Sequence, residues 1–417
     1  MNFSLQTLLK TPFQKHIATL FSGTVLAQAI NVLGALLLAK LYAPERYGTY
    51  SSFLSFVSIL TVFNSLKLEY IIITEKSLER GKNIGDALVF IILLMSVVSM
   101  GIFGLTKEFF SDRGILFLVL VGSSVTSFFL SNSKVLESLA TRTSAFKTIA
   151  TARVLTAILV VSIQFLLFYY TPYGLLYGYG IAMILLFIFY AVRLKSRFKL
   201  PHIAQFKTTL KAHKNIVRYA YPSGLVNVVA INGMPILLLA YFSAVDAGVY
   251  ALSLKVVSVP LFIISSSVSQ VYFQKASSYF NTEKAKIYSL TLRVARSNFI
   301  IMLVILGILN TLGIYLLELV LDDSWKNVRS YMLCLSFLVL GQVSFSPISS
   351  LIVIINKMHL GLMFNVYLVA VNLVAVYIGY QAEDIFYTIS ILSIASGLGY
   401  MLLLLYFLNH LKKRKNA

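Results

Sequence analysis

The sequence predicts an all-α polytopic membrane protein with about twelve transmembrane helices in two six-helix lobes, and three observations carry that expectation. Hydrophobic residues fill 58% of the 417 positions and gather in runs near the ~20 residues that a helix needs to cross the hydrocarbon core. Charged residues are only 12%, about half the share of a soluble protein. The chain carries 35 Lys and Arg against 15 Asp and Glu, and this surplus alternates from one inter-span segment to the next. A soluble enzyme, a disordered chain and a disulfide scaffold are excluded. None of the runs shows the alternation of a transmembrane β-strand.

The first six spans fall near 17–39, 48–73, 87–105, 114–133, 148–170 and 175–192. The first has a polar lead-in and an apolar run too long for a signal core, so it reads as an uncleaved helix. The second carries Lys67 and Glu69, and the fifth carries Arg153. Lys67 and Glu69 are two apart on a helix, so they point to nearly opposite sides and cannot readily neutralise each other.

Residues 193–218 follow, with eight Lys and Arg and no acid. Leu200, Ile203, Phe206 and Leu210 recur there at helical spacing, Lys199, Lys207, Lys211 and Lys214 mostly take the other side, and Pro201 suits a first turn. This is a basic amphipathic linker expected to lie on the inner membrane surface, against anionic phospholipid. It separates an N-terminal lobe, 1–192, from a C-terminal lobe with a basic tail, 219–417.

The second set of spans falls near 219–242, 248–271, 298–317, 330–355, 361–380 and 386–408. Prolines within spans are confined to this half. Pro222 and Pro235 lie in the seventh span with Gly233 beside the latter, Pro260 lies in the eighth and Pro347 in the tenth. Each removes a backbone donor and marks a candidate kink or hinge. Lys255 is the cation of the eighth span. A faint repeat links the halves: Leu37-Leu38 and Gly48-Thr49-Tyr50 return 200 positions later as Leu237-Leu238 and Gly248-Val249-Tyr250.

Charge sets the orientation. Segments on the side of both termini hold 26 Lys and Arg with 5 acids, and those on the opposite side hold 6 with 9. By the positive-inside rule both termini are cytoplasmic. Nearly all of the basic surplus is therefore an orientation signal, and no nucleic-acid partner is expected.

No catalytic constellation emerges. The histidines, His16, His202, His213, His359 and His410, all fall in tails or cytoplasmic segments, and Cys334 is the lone cysteine, so neither a metal site nor a cofactor is expected. Asp322-Asp323 and Glu383-Asp384 read as helix-end caps, and Trp325 as an outer-interface anchor. The amides Gln28, Asn31, Asn64, Asn227 and Asn232 suit either a sugar-compatible cavity or interhelical hydrogen bonds. Charges inside the membrane cost several kcal/mol unless they face water, protein or an ion, so Lys67, Arg153 and Lys255 are candidates for a cationic lining that receives an anionic substrate. Glu69 is the candidate for ion coupling.

Several segments resemble the Wzx-type O-antigen flippases, in the polysaccharide-exporter branch of the multidrug/oligosaccharidyl-lipid/polysaccharide (MOP) superfamily. Leu41-Tyr42-Ala43-Pro44-Glu45-Arg46-Tyr47-Gly48 is similar to the family's Tyr-x-Pro-Glu-x-x-Gly loop, and Ser65-Leu66-Lys67-Leu68-Glu69-Tyr70 to its basic-x-Glu signature. Arg142, Phe146, Ile149-Ala150 and Arg153-Val154 fit the entry to the fifth helix, and Gly248 to Pro260 fit the eighth. The resemblance implies a MATE-like fold with a parallel repeat and no enzymatic step. It implies alternating access that carries an undecaprenyl-diphosphate-linked oligosaccharide, an O-antigen or other surface-polysaccharide repeat unit, across the bacterial inner membrane. Lys67, Arg153 and Lys255 match basic positions of the family, with the diphosphate or acidic sugars as their targets. Other polysaccharide-assembly proteins, including those of lipopolysaccharide biosynthesis, are the candidate protein partners. The alternatives are a small-molecule exporter of the multidrug type, which would want an acidic interior, and a membrane glycosyltransferase or polymerase, which would want a larger outer loop than 318–329.

Overall fold

The computed structural model describes residues 12–75, 77–105, 114–195, 208, 211–214, 216–282 and 284–416. Among these every regular element is helical. The chain divides into two compact units, one of Met1–Tyr42 with Thr49–Val228 and the other of Ala43–Gly48 with Val229–Ala417. Most of the basic linker falls on 196–207, 209, 210 and 215, outside the described residues.

The first unit is built from α1 (Pro12–Leu41), α2 (Pro44–Ser65), α3 (Glu69–Thr74), α4 (Leu78–Leu105), α5 (Gly114–Arg142), α6 (Phe146–Leu167) and α7 (Gly174–Arg193). A π-helical turn at Ile216–Ala220 then leads into α8 (Tyr221–Asn232). Its packing is inverted relative to a water-soluble bundle. On α4 the exposed positions include Phe90, Leu93, Leu94, Val97 and Val98, whereas Ser96 and Ser99 are buried. On α5 the buried positions include Ser123, Ser124, Ser127, Ser131 and Asn132. Hydrocarbon solvates an apolar exterior, so small hydroxyl residues at helix contacts supply close approach and hydrogen bonds instead.

The second span departs from the expected single helix. Leu66 (φ 51°) and Lys67 (φ 60°) adopt left-handed backbone in succession, ending α2 and starting α3 at Glu69. Left-handed backbone costs an L-residue roughly 1–2 kcal/mol, so surrounding packing must hold this break in place. Leu68, Ile71 and Ile72 supply it: they are buried in one apolar cluster with Ile84, Leu88 and Val135, against which Leu66 also packs.

The second unit continues with α9 (Met234–Tyr241), α10 (Ala244–Thr282), α11 (Lys284–Ile308), α12 (Ile314–Val320), α13 (Val328–Phe345), α14 (Leu351–Ile354), α15 (Met358–Gln381) and α16 (Ile385–Asn416). Ser243 and Asp246 open α10 as a reciprocal cap: the Asp246 amide donates to Ser243 Oγ at 3.1 Å and Ser243 Oγ donates to Asp246 Oδ2 at 2.6 Å. Within this unit the two glycines of the repeat meet. A Cβ on Gly48 would lie 2.7 Å from the Gly248 amide nitrogen, against the Ala244 carbonyl, and one on Gly248 would lie 2.9 Å from the Gly48 nitrogen, against the Pro44 carbonyl. Only glycine permits this approach of backbone to backbone.

The prolines act differently from one another. Pro222 sits in the first turn of α8, just after the π-helical turn, where a missing donor costs little. Gly233 and Pro235 mark a 53° bend between Ile216–Asn232 and Met234–Tyr241. Pro347 lies in the 3-10 turn Ser346–Ile348, so the tenth span is α13, that turn and α14 rather than one helix. Pro260, by contrast, is carried inside α10 without ending it.

Ten helices among the described residues are long and apolar enough to cross a membrane, and the bent pair makes eleven. The second span is not among them. Its helix α2 spans 22 residues, but Thr49, Ser51, Ser52, Ser55, Thr61 and Asn64 are buried along it. Its polarity faces the interior of the protein.

Candidate functional site

In the first unit the intramembrane charges gather where α3 meets α5. Lys67 stands outside any helix. The expectation that helical spacing sets Lys67 and Glu69 on opposite sides is therefore overturned by the left-handed break. Its ammonium lies over the Tyr70 ring at 5.4 Å, a cation–π contact that leaves the charge unneutralised. Its stem passes over Gly224, where a Cβ would come within 2.5 Å of Lys67 Cε. Glu69 begins α3, is 9% exposed, and its Oε2 has no hydrogen-bond partner among the described residues.

Two further members come from a segment the sequence assigns to a cytoplasmic connection. The fourth span is expected to end at 133, whereas α5 runs on to Arg142. No glycine or proline interrupts 134–142, so the helix has no reason to stop there. Lys134 and Glu137, three residues apart, share its face. Lys134 interacts electrostatically with Glu69, Lys67 and Glu137. Glu69 is thus not the sole acid within the helical bundle. Arg142, one turn further, donates to the Ile72 and Ile73 carbonyls at 3.2 Å each and holds the end of α3 in place.

Arg153 is tied to its neighbours. Its Nη2 meets Glu137 Oε1 at 3.1 Å and its Nη1 donates to Thr24 Oγ1 at 2.6 Å, which fixes α6 to α5 and α1. The cluster of Lys67, Lys134 and Arg153 with Glu69 and Glu137 keeps a net positive charge, held by the lysines. Asn64 belongs to the packing: its Nδ2 donates to Ser96 Oγ and Ser127 Oγ, both at 3.1 Å, an interhelical tie between α2, α4 and α5. In the motif loop, Tyr42 OH donates to the Gln164 carbonyl at 2.8 Å, and burial pushes this phenol up to about 12.

In the second unit Lys255 lies half-buried on α10 and makes no ion pair with any described residue. Trp325 differs from the expected interface anchor. It is 3% exposed and packs edge-on against Tyr47 with ring centroids 5.7 Å apart. The acidic pairs do cap: Asp322 accepts from the Ser324 amide at 3.0 Å and Asp384 from the Phe386 amide at 2.8 Å. Among the described residues no group of His, Cys, Asp or Glu is arranged to hold a metal ion.

The model of the polysaccharide biosynthesis protein family matches residues 37–330. Solved structures of similar fold include the lipid II flippase MurJ in an inward closed conformation, with 16% identity, a TM-score of 0.75, and coverage of 94% of this chain and 87% of that one. An inward-facing multidrug-resistance MATE family transporter of the MOP superfamily shows 15% identity and a TM-score of 0.66, covering 94% of this chain and 96% of that one. A MOP superfamily transporter from Pyrococcus furiosus, described as having a binding pocket of reversed polarity, shows 14% identity and a TM-score of 0.57, with 100% and 99% covered. No curated protein sequence matches at a significant level.

Proposed function

The chain belongs to the polysaccharide biosynthesis protein family, and from that premise we propose that it flips a lipid-linked oligosaccharide, a repeat unit of O-antigen or another surface polysaccharide, across the bacterial inner membrane. The observation that carries this reading is the cationic excess held inside a membrane bundle. Lys134 interacts with Glu69, Lys67 and Glu137, and Arg153 pairs with Glu137, so three cations share two carboxylates. An uncompensated cation at such depth is costly unless an anion or water visits it. A lipid diphosphate is an anion that can approach from within the bilayer. Lys255 supplies the same chemistry in the second unit. Glu69, with one oxygen unsatisfied, is the candidate for proton or ion coupling. Pro222, the Gly233–Pro235 bend, Pro260 and Pro347 are the candidate hinges of alternating access, a cycle that needs no covalent step.

Deletion of the gene tests the proposal. Long-chain surface polysaccharide should disappear while the lipid-linked repeat unit accumulates in the inner leaflet. Undiminished export, without accumulation, would overturn it.

A further inference from the structure

The second unit forms an open-sided cavity of about 400 Å³ lined from α8, α9, α10, α13, α15 and α16. That volume falls within the roughly 300–1,000 Å³ of small-molecule pockets. No charged residue lines it. Its accessible wall is mostly apolar, with neutral polar groups set into it, among them Ser258, Ser265, Gln342, Asn372, Ser396 and Tyr400.

Ser265 lacks a protein partner among the described residues, and others are only partly paired. Asn372 is 5% exposed and commits its Nδ2 to the Ala230 carbonyl at 3.0 Å, which leaves its Oδ1 as an acceptor. Ser396 is 2% exposed and lines the cavity. Ser265 Oγ is buried with no hydrogen-bond partner among the described residues. Gln342 and Tyr400 hydrogen-bond each other through their side chains.

These features discriminate between occupants. A hydrocarbon chain would leave each unpaired hydroxyl and amide oxygen desolvated, at about 1–3 kcal/mol apiece. An anion or a cation would find no counter-charge in the lining. A polyol satisfies the free donors and acceptors, while the apolar faces of its ring pack on Leu254 and Phe262 across the remaining wall.

We propose that this cavity binds a neutral sugar ring, through Asn372, Ser396 and Gln342 with Tyr400. This rests on the flippase reading above and sharpens it: the oligosaccharide contains an uncharged sugar that docks within the second unit, in a lining that includes none of the lysines.

The test uses the full chain in glycoside-free nanodiscs, with Cys334→Ala as background and Ser258→Cys as the reporter. The rate of N-ethylmaleimide labelling is measured with methyl β-lactoside, with galacturonate, or with farnesol present. The neutral disaccharide should slow labelling several-fold, with no effect of galacturonate or farnesol. Asn372→Leu, or Gln342→Leu should the first variant not fold, should abolish that protection. Protection by farnesol alone, equal protection by galacturonate, an unreactive cysteine, or labelling that no probe slows would each overturn the proposal. The deletion experiment is independent. Accumulated lipid-linked units without sugar protection would remove the cavity and keep the flippase, and protection without accumulation would do the reverse.

Discussion

Lys67 and Lys134 share an electrostatic neighbourhood with Glu69, so their effects should be alike. Lys67→Gln and Lys134→Gln, each inserted at the normal level, should both reduce surface polysaccharide and raise the lipid-linked precursor. Full export by Lys134→Gln would confine the anion-binding role to Lys67. Arg153 and Glu137 should behave as structural partners. Their side chains are 42% and 33% exposed, so a double-mutant cycle on thermal stability should give a coupling of only about 0.2–1 kcal/mol. Much of this site was legible: Lys67, Glu69 and Arg153 stand out as charges in apolar runs. Lys134 and Glu137 did not, because a span of ~20 residues ends before them although the helix continues. Nothing in Ser65-Leu66-Lys67-Leu68-Glu69 marks a break either, since it has neither glycine nor proline. The left-handed pair is imposed by the burial of Leu68, Ile71 and Ile72, a tertiary effect.

At the scale of elements, the close backbone approach at the start of α10 makes the sharpest prediction. Gly48→Ala and Gly248→Ala place a methyl against the carbonyls of Ala244 and Pro44, and each should cost about 1–3 kcal/mol, seen as a lowered melting temperature in detergent. Gly101→Ala and Gly307→Ala, where a Cβ meets nothing within 4 Å, should be tolerated or slightly stabilising. The bend at Gly233 was legible from the Gly-x-Pro spelling, because a helix loses a donor at Pro235 and glycine tolerates the resulting backbone. Replacing Pro235 with Ala should straighten the 53° bend, and spin labels flanking it report the change. Slower export with normal folding would accompany a moving hinge, and unchanged export a fixed one. The continuity of α10 through Pro260 could not be foreseen, since neighbouring helices decide whether a membrane helix bends or breaks at proline.

For the molecule as a whole, charge is the organising signal that the fold itself does not contain. With 26 Lys and Arg on the side of both termini against 6 opposite, a fluorescent protein fused to the C-terminus should fold and emit in the cytoplasm, and alkaline phosphatase there should stay inactive. The opposite pair of results would invert the topology and with it the direction assigned to transport. The apolar exterior and hydroxyl-rich interior also bear on biogenesis. Helix α2, with its buried Thr49, Ser51, Ser52, Ser55, Thr61 and Asn64, gains little from partitioning into lipid by itself. It must leave the translocon in company, with partners such as Ser96 and Ser127 already there to receive Asn64. An isolated α2 segment placed in a model host should therefore insert inefficiently, and adding the helices that carry those serines should rescue it. The order in which the ribosome delivers α4 and α5 then becomes part of how the lysine cluster is assembled.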